Sequence, residues 1–288
     1  MRMLAVDFGI RPEGVSLAGV QVRQQSYPDA LSRAALYQRL LDRMSAFTQG
    51  GTVAMGDWWP LQAPPARQFD AGNGAIVDGG TMAVSAGYFE ALGIRLREGR
   101  AFAGTDTAGA EPVVVLAESL ARRVWPSMPA VGQTVRISTR PPSGPPLTQI
   151  YRVVGIAADV RQTHADTNLL DAYVPLLQNA GRFTFLFLPP GVTTPARQRE
   201  LREAVAEVDA EVSMGTPQVL QDALDRERLR PRVLASMLSA FAGFAALLAL
   251  LGMYGVVSYA VRQREREVAV RMAVGADRRS VTVLFLRQ

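Results

Sequence analysis

Hydrophobic and polar positions are arranged in two different ways along this chain. Through roughly the first 230 residues, short apolar or alternating runs are broken by Gly and Pro. Residues 15–22 alternate with the period of a half-buried strand, and residues 28–47 carry Leu36, Leu40, Met44 and Phe47 along one helical face, with Pro28 suited to a first turn. Gly50 and Gly51 end that helix; residues 52–55 predict a short strand, and a Pro- and Gly-rich loop follows through Trp58, Trp59 and Pro64 to Gly74. Further strands are expected at 81–85, 112–117, 134–138, 150–156 and 183–188, and helices at 118–125, 195–208 and 218–230. The proline cluster at 141–146 marks a hairpin tip or loop, because Pro cannot donate to a sheet ladder. The mixture is α+β, with two subdomains whose edges fall near Gly80 and Gly181.

The second pattern is one apolar run. No charged residue occurs from Val233 to Val261, a stretch longer than the about 20 residues a helix needs to cross a bilayer. Its leucines, valines and phenylalanines each favour insertion by roughly 0.3 to 0.6 kcal/mol at the helix centre. Small residues recur along it, with Ser239 before Gly243 and then Gly252 and Gly255, so another helix can approach closely. Tyr254 and Tyr259 lie toward its C-terminal end, where aromatic rings favour the headgroup layer. Arg226, Arg228, Arg230 and Arg232 precede the run, while Arg262, Arg264, Arg266, Arg271, Arg278 and Arg279 follow it. The excess on the C-terminal side predicts a cytoplasmic C-terminus and an extracytoplasmic N-terminal domain. Exporting such a domain calls for an earlier span, so an upstream membrane segment is expected.

Composition narrows the chemistry. All 31 basic residues are Arg, Cys is absent and His164 is the sole imidazole, which excludes Walker-A and Schiff-base lysines, disulfides, thiolate nucleophiles and multi-histidine metal sites. The charge of +5 and pI near 10 come from arginines that cluster only around the apolar run, pointing to a membrane surface and not to nucleic acid. Local motifs are weak. Gly72 and Gly74 lack the third glycine of a dinucleotide fingerprint, for Val77 stands there. Ser85 lacks the preceding glycine of a nucleophile elbow and is expected to cap a short helix beginning at Gly87. His164, with Asp159 and Asp166 nearby, reads as a loop residue, and Glu203, Glu207 and Glu211 as a solvated helix face. No catalytic residue, cofactor site or metal site is expected.

Beyond the span, Arg264, Glu267 and Arg271 fall on one face of a short amphipathic helix, with Glu267 and Arg271 spaced for an i,i+4 pair. Gly275 can end this helix, and Asp277 can cap a further one that turns apolar toward 286. Residues 251–259, with Gly252, Tyr254, Gly255 and Tyr259, followed by the arrangement R-x-R-E-x-x-x-R-x-A-x-G-A from Arg264 to Ala276, closely resemble MacB/FtsX-type permeases of ABC transporters, Val274 standing where Leu is usual. Recurring blocks of that family also resemble residues 88–94, 99–102, 118–126, 131–132, 153–156 and 173–175. The resemblance covers nearly the whole chain and leans toward duplicated orphan permeases of acidobacterial type.

The resemblance implies a MacB-like extracytoplasmic core domain over 1–230, a transmembrane helix over 231–261, a cytoplasmic coupling helix over 262–276 and the start of a further helix over 277–288. It also implies a non-catalytic, partial permease subunit of a bacterial inner membrane, coupled to an ABC ATPase carried on a separate chain and working as a homodimer or as paired permease halves within lipid. Arg264, Glu265, Glu267, Arg271, Met272 and Gly275 would contact the ATPase; Ser239, Gly243, Gly252, Tyr254, Gly255 and Tyr259 would pack the span. The alternative is a single-span sensor whose juxtamembrane helix relays ligand binding; a membrane-anchored hydrolase is disfavoured by the missing nucleophile pattern.

Overall fold

A computed structural model describes residues 9–59, 64–72, 74, 76–139, 147–160 and 172–273, with side chains at 226–235, 261 and 263–273 left undescribed. The chain divides into two compact units, residues 1–224 and 225–288.

The first unit is built on one mixed sheet. Its elements are β1 (Ser16–Gln21), α1 (Ala30–Phe47), β2 (Ala54–Gly56), β3 (Ala66–Asp70), β4 (Ile76–Val84), α2 (Tyr88–Ala91), β5 (Leu96–Gly99), β6 (Val113–Ala117), α3 (Glu118–Val124), β7 (Thr134–Thr139), β8 (Leu147–Ala157), β9 (Ala172–Pro175), β10 (Phe183–Leu188), α4 (Pro195–Val208), β11 (Ser213–Met214) and β12 (Gln218–Val219). The strand order is β11-β1-β10-β2-β4-β3-β7-β8-β6-β9, and a further parallel pairing of β9 with β4 closes a circuit of six strands. The other arm, β2, β10 and β1, is antiparallel, and β12 adds to β1 beside it.

Apolar side chains fill two layers. One holds Leu36, Tyr37, Leu40 and Met44 of α1 against Phe69, Val114, Leu116, Ile137 and Val174; the other gathers Leu17, Tyr88, Phe89, Phe102, Val115 and Phe187. The apolar face of α1 predicted from the sequence is therefore its buried face, except that Phe47 is only partly covered. Pro28 lies outside the helix, because Asp29 is the N-cap and accepts the Ser32 N–H at 2.7 Å. Ser85 does not cap α2: its hydroxyl accepts the Met55 N–H at 2.8 Å and joins two strands instead.

The segment expected to be a loop between Trp58 and Gly74 contains β3, whose Phe69 is fully buried and pairs across to Val77 and Ile137. The strand expected at 81–85 is longer and begins at Ile76. Residues 218–219 belong to β12 and not to the following helix. The proline cluster at 141–146 lies outside the described residues, but the strands on either side of it, β7 and β8, pair antiparallel as a hairpin requires.

Two glycines let neighbouring strands approach closely. Gly99 has φ +71°, and a Cβ there would stand 2.2 Å from the Val154 carbonyl oxygen; a Cβ on Gly155 would stand 2.4 Å from that of Arg100. The backbones of β5 and β8 approach so closely that only hydrogen fits between them. Immediately after, Arg100 donates to both carboxylate oxygens of Asp106, at 2.7 and 3.0 Å, and thereby fixes the turn that places Phe102 against Phe89.

Candidate functional site

The second unit is dominated by α5 (Leu220–Ala273), which runs without an assigned break from the end of the globular unit. Its first residues belong to that unit: the Leu220 N–H donates to the Val15 carbonyl at 2.8 Å, and Leu220 and Leu224 are fully buried in the second apolar layer. Pro231, which has no backbone N–H to donate, lies within the helix.

Farther along, Ser236–Ala260 is long and apolar enough to cross a membrane, and none of it is buried by protein. Phe241, Phe244, Leu248 and Val256 are each about two-thirds exposed or more. Apolar exposure on this scale is far beyond what a soluble monomer shows, and a water-soluble core helix would be covered. A position where a Cβ could be added on Gly243, Gly252 or Gly255 meets nothing within 4 Å, and Tyr254 and Tyr259 are exposed at 73 % and 69 %. At about 100° of rotation per residue, Ser239 and Gly243 share one face, whereas Gly252, Gly255 and Tyr259 fall on roughly the opposite one. The expected packing residues thus form two close-approach surfaces and not a single stripe.

Arg264, Glu265, Glu267, Arg271 and Met272 lie on α5, while Gly275 and Asp277 lie outside the described residues. Residues 220–230 of the expected helix at 218–230, the expected span over 231–261 and residues 262–273 of the expected coupling helix over 262–276 are accordingly parts of one element. The sequence motifs set aside earlier do not assemble a reaction centre. Gly72 and Gly74, at φ +77° and +86°, flank the turn between β3 and β4. Glu207 pairs with Arg43 of α1 at 2.7 Å, and Glu211 lies beyond the end of α4, so the three glutamates do not share a helix face. His164 is outside the described residues. Among the described residues no three or more His, Asp or Glu converge as metal ligands would.

One site escaped the sequence reading. Asp57, just after β2, is held between strands: its carboxylate accepts the Ala83 N–H at 2.8 Å and its own N–H donates to the Ala83 carbonyl at 2.9 Å. Burial pushes its pKa up to about 6, against the lowering effect of the Ala83 N–H and of Arg67. No motif marks it; only the alternation that places a charged residue directly after the buried β2 could have drawn attention to it.

Comparison with known proteins decides the family. Residues 12–204 match the MacB-like periplasmic core domain, and residues 239–288 match the FtsX-like permease C-terminal domain. The chain belongs to the MacB/FtsX-type ABC transporter permease family. Among MacB-type relatives, the probable syringafactin export ATP-binding/permease protein SyfD of Pseudomonas syringae pv. tomato is 24 % identical over 219 residues, covering 73 % of this chain and 31 % of that protein. The macrolide export ATP-binding/permease protein MacB of Aggregatibacter actinomycetemcomitans is 21 % identical over 225 residues, covering 75 % and 33 %. The chain therefore spans about a third of the length of the curated relatives it matches. Among solved structures, the periplasmic region of MacB from Actinobacillus actinomycetemcomitans aligns with a TM-score of 0.46 at 15 % identity, over 79 % of this chain and 98 % of that one. The extracellular domain of the ABC-type transporter YknZ from Gram-positive bacteria aligns at 0.42 and 12 %, over 70 % and 98 %.

Proposed function

We propose that this chain is part of a permease subunit that couples ATP hydrolysis by a separate ABC ATPase to motion of an extracytoplasmic MacB-like domain. The observation that carries the proposal is the continuity of α5: one helix includes residues of the domain's apolar core, the apolar span and the basic stretch beyond it. A helix resists bending because its turns are hydrogen-bonded to one another, so the helical segment that carries Arg264 to Met272 can act as a stiff lever within the second unit. The two small-residue surfaces of the span, around Gly243 and around Gly252, favour packing against two different membrane neighbours.

In this reading Arg264, Glu265, Glu267, Arg271, Met272 and Gly275 form the contact with the ATPase on the cytoplasmic side of a bacterial inner membrane, and residues 1–230 lie outside. The chain itself performs no chemistry on substrate. Two experiments test this. The full-length gene product purified in detergent is expected to retain an ATPase encoded nearby, and Glu267→Ala with Arg271→Ala is expected to weaken that retention; a stable, folded permease that captures no ATPase supports the single-span sensor instead. Because the chain has no Cys, orientation can be read with a membrane-impermeant maleimide. Ser127→Cys, at an exposed position of the domain, is expected to be labelled in cells with only the outer envelope opened, and Ser280→Cys only after lysis. The reverse pattern defeats the orientation.

A further inference from the structure

Five strands of the six-strand circuit line a cleft of about 430 Å³, within the about 300–1,000 Å³ typical of small-molecule sites. Arg67 of β3, Thr81 and Ala83 of β4, Thr139 of β7, Gln149 and Tyr151 of β8 and Val174 of β9 contribute to its wall, together with Asp57 and Asn179. Five strands distant in sequence thus converge on one polar concavity. Asp57 is the single anion and Arg67 the single cation among the described lining residues.

The Tyr151 hydroxyl lies 3.0 Å from Gln149 Oε1 and 3.3 Å from Asn179 Oδ1, and its single proton can be donated to either amide at the wall. The Thr81 hydroxyl is buried and has no hydrogen-bond partner among the described residues, an arrangement that disfavours folding unless something else supplies the bond. Arg67 directs a guanidinium N–H to the Ala66 carbonyl at 3.1 Å and offsets Asp57 less than burial does. The other ionisable groups that feel Asp57 are Tyr37 of α1 and Tyr88 of α2, both held neutral far above their usual range. Tyr151, also raised by burial, faces Arg67, and Arg33 acts on Tyr37. None of these tyrosines can balance a carboxylate charge.

We propose that this cleft binds a small hydroxylated amine of about the size of a hexosamine, its ammonium paired with the Asp57 carboxylate and its hydroxyls bonded to Thr81, Gln149 and Asn179. An ammonium adds to the partial compensation that Arg67 gives Asp57, and a hydroxyl supplies a partner for Thr81. An anion would meet Asp57 directly, and a neutral apolar molecule would leave the Asp57 carboxylate with only the Ala83 N–H and the influence of Arg67, and the Thr81 hydroxyl without a partner among the described residues. The site is independent of the ATPase contact, and its failure leaves the permease reading untouched.

The test uses the full chain in detergent, titrated with glucosamine, and with glucose and N-acetylglucosamine as uncharged analogues, followed by calorimetry or by shifts of protein resonances. Glucosamine is expected to saturate, at least tenfold tighter than either uncharged sugar at pH 7.5. Its affinity is expected to fall roughly tenfold at pH 5, because a proton then competes for Asp57. Asp57→Asn is expected to erase the preference for the amine and its pH dependence while the thermal unfolding transition persists, and Thr81→Val to weaken glucosamine and glucose alike. Equal binding of charged and uncharged sugars, affinity independent of pH, or no saturation by glucosamine with the wild-type chain folded each overturns the proposal.

Discussion

The two units of this protein spend similar apolar residues in opposite ways. In the sheet domain Leu36, Leu40 and Phe69 are 0 to 1 % exposed, whereas in Ser236–Ala260 Leu247, Leu250 and Phe241 are 56 %, 66 % and 71 % exposed. The domain hides apolar surface by layering helices on a sheet, which needs strands brought together from all along the chain. The span hides none, and its backbone is satisfied within the helix itself, which is the condition for entering a bilayer. Burial by protein and burial by lipid leave different marks, and each makes a different substitution harmful.

The largest effect is expected where protein does the burying. Phe69→Ala removes a fully enclosed ring between β4 and β7 and should destabilise the domain by about 3–5 kcal/mol, read by denaturant unfolding in detergent, whereas Leu248→Ala in the span should leave that transition within about 0.5 kcal/mol. Equal sensitivity at both positions breaks the contrast. A sharper form places one charge at two equally exposed leucines. Leu31, on the domain, and Leu248, on the span, are 66 % and 67 % exposed. Leu248→Arg should disfavour membrane insertion by about 3 kcal/mol, visible as loss from the membrane fraction, while Leu31→Arg should behave as wild type. If Leu248→Arg is tolerated, the helix meets water and not lipid.

Much of this contrast is legible in the sequence, because the span depends on composition over one continuous stretch and the longer amphipathic segments on local period. The bounds of α4 and β10 coincide with the apolar runs that predict them. What escaped depends on partners far away in sequence. β3 has one buried apolar side chain, Phe69, and sits between Pro64 and Gly72, so local turn chemistry masks a strand that exists because β4 and β7 flank it. β5 is exposed along its length and shows no alternation; it is held by its pairing to β8, where Gly99 and Gly155 permit close approach. The separation of α5 into three helices followed the changes between charged and apolar residues, which do not end the helical assignment. The residues expected to meet the ATPase come from a family pattern, whereas Asp57 acquires its character only when β2 and β4 come together around it.

Within the domain, two carboxylates draw the same distinction in miniature. Asp106 is buried with its countercharge: hydrogen bonds from Arg100 lower its pKa below the ordinary 3.8, outweighing desolvation. Its contribution is fully present above that ordinary value and is lost as pH falls through the folded-state value. Asp106→Ala should therefore destabilise the domain at pH 7 by about 2 kcal/mol, the worth of hydrogen bonds to a charged group, with the difference from wild type shrinking in acid. A loss that stays constant down to pH 2 would assign the effect to packing and not to the Arg100 pair.

Asp57 should respond with the opposite sign. Burial raises its folded-state value from 3.8 to about 6, so the folded protein holds a proton that the unfolded chain has already released between those values. Stability attributable to Asp57 is greatest below pH 3.8 and is lost as pH rises through about 6. Asp57→Asn keeps an oxygen to accept the Ala83 N–H but carries no charge, so the variant should match wild type near pH 4 and exceed it by up to about 2 kcal/mol above pH 7. Unfolding curves at pH 4.5 and 7.5, without any amine present, measure the difference. A hexosamine that fills the cleft should then shrink the gap at the higher pH, because it stabilises wild type more than the variant. A variant less stable than wild type at pH 7.5 would mean that the Asp57 carboxylate is already neutralised within the fold, and would remove the reason for an ammonium to enter.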